Sequence, residues 1–362
     1  MKRTNMLSIV FRKLRSWGRV MRGNQLMASL FILFVLMLFF TMTSSRFLTW
    51  DNMQNVTRST SSVVIVGSAV TLVMIARGLD LSVGSLLAAS GVLAASIASH
   101  GTNLWLSYLA AIALGALFGA LNGTLVVGFK VTPIIATLGT LNIARGMAYL
   151  VTPSAILVGL PSNWSDLGTG SFFQIPYPVI IAVVIALFFG WLLGRTVFGR
   201  HVYAIGGNEE TARLSGVNIR KVIFLLYLMS GLATGIAAVV LTSRLGSGDP
   251  NIGVGFEFQV IVAVILGGTS LAGGEGRIAG TIVGALIVGF LGNGLNLIGV
   301  EPFWQYVAQG VALIAAVILD RFTRRERSEA SVRREVNSKD NFDKTEDPKS
   351  IGNSASHQGE IS

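Results

Sequence analysis

The chain has 362 residues, of which 52% are hydrophobic and only 13% charged; a soluble domain of this size carries about twice that charged fraction. Cysteine is absent, which excludes disulfides, thiolate catalysis and cysteine-ligated metals, and His100, His201 and His357 are too dispersed to form a ligand cluster. The formal charge of +10 has the sign of a nucleic-acid binder, but its distribution points to a lipid bilayer instead.

The first 25 residues form a basic arm with Lys2, Arg3, Arg12, Lys13, Arg15, Arg19 and Arg22 and no acid. Beyond it, apolar stretches of roughly 17 or more residues recur, long enough to cross about 30 Å of hydrocarbon as helices. Spans are expected at 26–43, 60–76, 82–99, 104–128, 132–151, 178–195, 222–241, 258–271, 278–298 and 303–320. This describes an all-α polytopic membrane protein with about ten crossings and a membrane body over 26–320. A β-barrel is excluded, because the segments are too long and do not alternate. The first span follows a long basic flank and precedes TMTSSRF, which offers no small-x-small cleavage site, so it is expected to stay as an anchor. The tail, 321–362, opens basic and turns mixed (DNFDKTEDPKS); it has too few apolar side chains to offset its ordering entropy, so disorder is expected. Its first arginines suit anionic headgroups.

Arginine and lysine collect in the arm, in a central loop (Arg195, Arg200, Arg213, Arg220, Lys221) and after the last span. The opposite loops hold only Arg46, Arg58 and Arg244. By the positive-inside bias both termini and the central loop are cytoplasmic, with six crossings before that loop and four after it.

Polar features punctuate the body. The segment 78–85, GLDLSVGS, places Asp80, Ser82 and Gly84 at the start of the third span. Asp80 there is either an N-cap or part of a broken helix lining an inner gate. Glycine recurs every fourth residue at Gly115, Gly119 and Gly123 and again at Gly276, Gly280 and Gly284. Such faces allow close backbone approach in lipid, and smooth ones let helices rock. Asn122, Thr137, Thr140, Asn142, Arg145, Asn293 and Asn296 bring hydrogen-bonding groups to the middle spans, as interhelical glue or as the lining of a wet path for a hydroxyl-rich solute. Asn293 and Asn296, at i and i+3, share a face.

The central loop, FGRHVYAIGGNEETARLSGVNIRKV (198–222), opens acidic at Glu209 and Glu210 and closes basic at Arg213, Arg220 and Lys221. That order complements the dipole of a short surface helix, read as the contact point for a partner that supplies energy. The loop at 244–258 is long and turn-rich, suited to an external partner. A faint echo links ARGLDLSVGS (76–85) to LGGTSLAGGEG (266–276). Catalysis is disfavoured: GWLLGRT (190–196) lacks the lysine of a phosphate-binding loop, and no metal-protease or dinucleotide motif occurs. Arg145 is the only charge expected well inside a span, with Asp80, Glu257 and Glu275 at or beyond span ends; an ion-coupled carrier would need acids at membrane depth.

Four stretches, LDLSVGS (79–85), FGRHVYAIGGNEETARLSGVNI (198–219), LGGTSLAGGEGRIAGTIVGAL (266–286) and NGLNLIGV (293–300), resemble the permease subunits of ABC importers for monosaccharides. The resemblance runs from about Asn52 to Asp320. It implies that Gly206, Gly207, Asn208, Glu209, Glu210, Ala212, Arg213 and Gly216 belong to a coupling helix that docks on a separate ATPase, where ATP and magnesium would bind, this chain holding no cofactor itself. It further implies a periplasmic sugar-binding protein meeting the 244–258 loop, a second permease copy, and residence in the bacterial inner membrane. A branched-chain amino acid or nucleoside is the alternative cargo. Two departures stand out: Arg77-Gly78 where members have Gly-Gly or Ser-Gly, and the longer polar tail.

Overall fold

A computed structural model describes residues 25–152, 156–301, 303–315 and 317–318. The chain divides into a unit Met1–Val317 and a second, Ile318–Ser362, of which only Ile318 is described. The basic arm up to residue 24 and the tail over 321–362 lie outside the described residues.

The helices are α1 (Gln25–Thr43), α2 (Trp50–Ile75), α3 (Val83–Ser99), α4 (Leu104–Val127), α5 (Pro133–Val151), a short α6 (Asp166–Thr169), α7 (Tyr177–Arg195), α8 (Val197–Gly207), α9 (Glu209–Leu214), α10 (Ile219–Leu245), α11 (Phe256–Leu266) and α12 (Ile278–Leu297). Residues 303–315 are helical as well. A two-stranded hairpin, β1 (Ser171–Phe172) with β2 (Ile175–Pro176), precedes α7. Among the described residues seven helices, α1, α2, α4, α5, α7, α10 and α12, are long and apolar enough to cross a membrane. The protein is therefore a multi-pass helical membrane protein.

Two expected spans form helices shorter than those seven, the first of them matching its expected bounds of 82–99 to within one residue. The third is α3, of 17 residues, and the stretch 258–271 shortens to the 11-residue α11, because Gly267 and the positive-φ Gly268 end the helix at Leu266. The second span is a longer helix than its apolar run: α2 starts at Trp50, ten residues before the expected boundary, with Asp51 in its first turn. That extension is polar, so hydropathy alone does not see it, while the acid at the N-terminus favours the helix.

α2 occupies the centre. Residues 60–76 are buried without interruption, and the helix packs on α7, α10, α11 and α12. Several of its hydroxyls return to its own backbone, as with Ser68 to the Val64 carbonyl at 2.7 Å, so they can be buried in apolar surroundings. Thr71 also meets Thr281 of α12, 2.6 Å between hydroxyls.

The regular glycines act as packing surfaces. A methyl on Gly231 of α10 would run into the Gly115 carbonyl and lie 2.8 Å from the Gly119 Cα of α4. Gly280 and Gly284 of α12 meet the backbone of Gly267 and Ala263 in the same way. Lipid offers no hydrophobic drive between helices, so this backbone contact is what holds them. Gly231→Leu is expected to lower stability by about 1–3 kcal/mol, the usual cost of overpacking, whereas Gly146→Leu, where nothing lies within 4 Å, is expected to be neutral or slightly stabilising; thermal unfolding in detergent distinguishes the two.

Candidate functional site

α2 ends where Arg77 adopts a left-handed backbone, φ 63°. A side chain in that region costs about 1–2 kcal/mol, and two hydrogen bonds offset it. Arg77 Nε donates to the Gly206 carbonyl at 2.8 Å and Nη2 to that of Gly207 at 2.7 Å, the last carbonyls of α8. A cation at a helix C-terminus is favourable on dipole grounds too.

Past Gly78 the chain turns inward to Asp80, whose carboxylate is buried. Oδ1 accepts from the Ser82 backbone N–H at 3.1 Å and the Ser82 hydroxyl at 2.6 Å; Oδ2 accepts from the Ser230 hydroxyl of α10 at 2.7 Å. Asn122 Nδ2 of α4 donates to Ser82 Oγ at 2.9 Å, and Asn122 Oδ1 accepts from Thr140 of α5 at 2.7 Å. The Leu79 carbonyl accepts from Tyr227 at 3.2 Å and, more distantly, from Thr137 at 3.4 Å. Four elements thus converge on one helix break, and its buried polar groups satisfy one another, as burial demands.

Asp80 is accordingly not the N-cap of the third span. That position belongs to Ser82, and α3 begins at Val83. Asp80 and Glu257 do lie at helix ends, before α3 and in the first turn of α11, yet at 1% and 8% exposure both are buried in the body. Glu257 lies against Gly84, where a methyl would collide with its carboxylate and with the Gly253 carbonyl. The first turns of the two short helices α3 and α11 therefore touch.

Of the residues expected to line a path, Asp80, Ser82, Asn122 and Thr137 come together here, with Gly84 one turn along. Asn142 does not join them; it is exposed and donates to the Leu138 carbonyl of its own helix at 3.0 Å. Asn293 and Asn296 sit near the far end of α12. Asn293 exchanges two 2.9 Å hydrogen bonds with Asn52, so it joins α2 to α12. Ser230, Tyr227 and Arg77 were missed as members of the cluster, since each meets its partner across a long sequence separation that periodicity cannot report.

The central loop folds as two helices and the start of a third. Thr196 caps α8, accepting from the Gly199 N–H at 3.2 Å. Asn208 caps α9 through the Thr211 N–H at 3.0 Å, and Asn218 caps α10 through the Lys221 N–H at 3.1 Å. Arg220 and Lys221 thus belong to the first turn of α10 rather than closing the Glu209 helix, because Gly216, at φ 82°, turns the chain between them. On α9 only Ala212 is buried; Glu209, Glu210, Thr211, Arg213 and Leu214 are exposed, with Gly216 just beyond them. The Arg213 guanidinium, 2.5 Å from Glu210, holds that carboxyl below its ordinary range.

The two segments of the faint echo meet at this end, where a methyl on Gly273 would run into the Arg77 side chain. Gly274 N–H donates to the Ile75 carbonyl at 2.8 Å, and a methyl on Gly206 would collide with Ile75 and lie 2.5 Å from Gly274 N. Beside the junction is a cavity of about 730 Å³ whose wall includes Arg77, Lys130, Glu209, Arg213, Arg220 and Tyr227.

Away from α9, the 244–258 loop is tied into the body. Arg145 Nη1 donates to the Pro250 carbonyl at 2.6 Å and to that of Ile252 at 3.1 Å, while Nε reaches Ser85 Oγ at 3.2 Å. Arg145 therefore acts as glue between α5, α3 and the loop.

Apolar helices packed through glycine, interrupted by short helices around buried polar groups and carrying a small exposed helix at one end, define a membrane transport subunit. Residues 52–317 match the family described as "Branched-chain amino acid transport system / permease component", and the chain belongs to that family of ABC-importer permeases. It is 42% identical over 297 residues to the ribose import permease protein RbsC of Escherichia coli strain K12, covering 81% of this chain and 92% of the relative. The RbsC of Bacillus subtilis strain 168 is 40% identical over 291 residues, with 80% and 90% covered. The L-arabinose transport system permease protein AraH of E. coli K12 is 36% identical over 307 residues, with 85% and 93% covered. No solved structure matches. The resemblance carried by the four sequence stretches is thereby confirmed.

Asp80→Ala is expected to leave the Ser82 and Ser230 hydroxyls without their acceptor at a cost of about 1–3 kcal/mol, with Asp80→Asn intermediate; unfolding midpoints in lipid nanodiscs read the order.

Proposed function

We propose that this chain is the membrane-spanning subunit of a bacterial ABC importer that moves a monosaccharide inward. The observation carrying this reading is identity of 36–42% to ribose and arabinose permeases over four-fifths or more of the chain. The relatives with printed cargoes are sugar permeases, which favours a sugar over a branched-chain amino acid or nucleoside.

In this reading α3, α11 and the helical stretch 303–315 complete ten passes with the seven long helices. The basic residues put α9 and both termini in the cytoplasm of the inner membrane. α9 is the coupling helix. It offers Glu209, Glu210, Arg213 and Leu214 to a cleft on a separate ATPase, which binds ATP and magnesium, while Ala212 anchors it. A binding protein delivers sugar to the opposite face near 244–258, and a second permease copy completes the pair.

The junction of Ile75, Gly206 and Gly274 gives the coupling a route. Movement of α9 and α8 pulls on Arg77, and Arg77 is three residues from Asp80. Because the carboxylate is tied to α3 and α10 and through Ser82 to α4, displacing it shifts several helices together. Coupling through such a contact is biasing of a two-state element by a partner's differential binding.

Reconstituted with its ATPase and binding protein, the wild type is expected to accumulate sugar only with ATP. Glu210→Arg and Gly216→Arg should abolish ATP-driven uptake with membrane insertion intact, and unaltered uptake would count against α9. Arg77→Gln should preserve assembly and ATP hydrolysis while sugar uptake falls about tenfold, the effect of losing about 1.4 kcal/mol of coupling; equal losses of hydrolysis and uptake would assign Arg77 to assembly instead.

A further inference from the structure

A second cavity, of about 320 Å³, lies between α2, α12, the end of α10, the first turn of α11 and the stretch 303–315. Its residues on α2, α10 and α12 lie toward the helix ends remote from α9. The volume is within the roughly 300–1,000 Å³ of small-molecule sites. Amides dominate its wall. Asn55, Gln259, Asn296, Gln305 and Gln309 line it with no side-chain hydrogen bond among the described residues, beside the bonded Asn293. The Thr60 hydroxyl, 3% exposed, also lines it and has no partner among the described residues. Gly289 is part of the wall, and a methyl there would collide with that hydroxyl.

Elsewhere among the described residues unpartnered buried hydroxyls occur singly, at Ser90, Ser107 and Thr269, whereas interior amides such as Asn122 and Asn52 are bonded to a neighbour. A group of unengaged amides gathered on one cavity is therefore distinctive. Asn55 and Asn296 are exposed and Gln259, Gln305 and Gln309 half-buried, so their donors and acceptors are open to a ligand, while the buried Thr60 hydroxyl is the group left unmatched. On the last helix Gln305 and Gln309, at i and i+4, form a half-buried stripe, while Phe303, Trp304, Tyr306 and Val307 are exposed on the rest of the surface.

We infer that this cavity is a solute-binding station of the transport path for a neutral polyhydroxylated molecule of monosaccharide size. An amide both donates and accepts, as a hydroxyl does, so a ring of them matches a sugar without fixed charge. The Arg244 guanidinium, also in the wall, adds donors for ring or hydroxyl oxygens. Among the described residues no carboxylate lines the cavity to pair with the ammonium of an amino acid. The inference rests on the sugar-importer reading and gives that reading a place in the chain: Asn293 and Asn296, expected to share a polar face, both contribute to the wall.

The test uses the complete importer in proteoliposomes, with D-ribose and L-arabinose as probes and sugar moved per ATP hydrolysed as the readout. Gln305→Leu/Gln309→Leu and Gln259→Leu replace unbonded amides with apolar side chains of similar size, so thermal stability should hold or rise. The sugar-to-ATP ratio should fall about tenfold, the loss of roughly one to two good hydrogen bonds, with ATP hydrolysis within about twofold of wild type. A ratio unchanged in both variants, with wild-type uptake intact, overturns the cavity alone. A wild type that takes up neither sugar overturns the sugar reading and the cavity with it.

Discussion

Everything at the α9 end depends on how one helix break is kept dry and satisfied. Ending α2 at Ile75 and restarting at Val83 exposes backbone groups and a carboxylate inside the body, where water is not at hand to bond them. The solution is distributed: Ser82 and Ser230 serve Asp80, Asn122 serves Ser82, Thr140 serves Asn122, and Tyr227 serves Leu79. Because the donors sit on α3, α4, α5 and α10, none of these helices can move far without rearranging the same few bonds. Such a network has discrete arrangements rather than a continuum, and a transport subunit needs discrete states.

Glycine supplies the complementary property. Where α4 meets α10 and α12 meets α11, backbone rests on backbone without interlocking side chains. Tight contact keeps the bundle together, while the absence of knobs leaves few steric barriers to small rotations of one helix on another. Polar groups thus fix where the helices are held, and glycine faces determine along which surfaces they can shift. Gly206 has both roles, since its missing side chain lets α8 lie on Ile75 and Gly274 while its carbonyl accepts from Arg77.

Much of this architecture could be read from the chain and some could not. Long apolar runs announce α1, α4, α5, α7, α10 and α12 because hydropathy and helix length are local properties. The glycine stripes were legible for the same reason. The polar start of α2 and the early end of α11 were not, since hydropathy stops at the polar turns that begin α2 and does not register the positive-φ Gly268 that follows α11. Asp80 was singled out from its motif, but its role as a hub depends on Ser230, 150 positions away. Arg77 is the sharpest case. It stands out as a departure at a position favouring glycine, yet only the fold shows that its side chain compensates for the backbone it strains.

The two cavities differ in chemistry as well as in place. The one beside α9 carries several formal charges, including Arg77, Lys130, Glu209, Arg213 and Arg220; the remote one carries Arg244 among amides. Charges next to a mobile contact suit docking, because ion pairs at a surface form and break at little cost. Amides suit a neutral solute, because they bond it without holding it as firmly as a buried charge would. A solute that must leave as readily as it enters is better served by the second kind of wall. The buried length of α2 separates the two cavities, and Arg77 is the side chain that joins the helix break at its end to the end of α8.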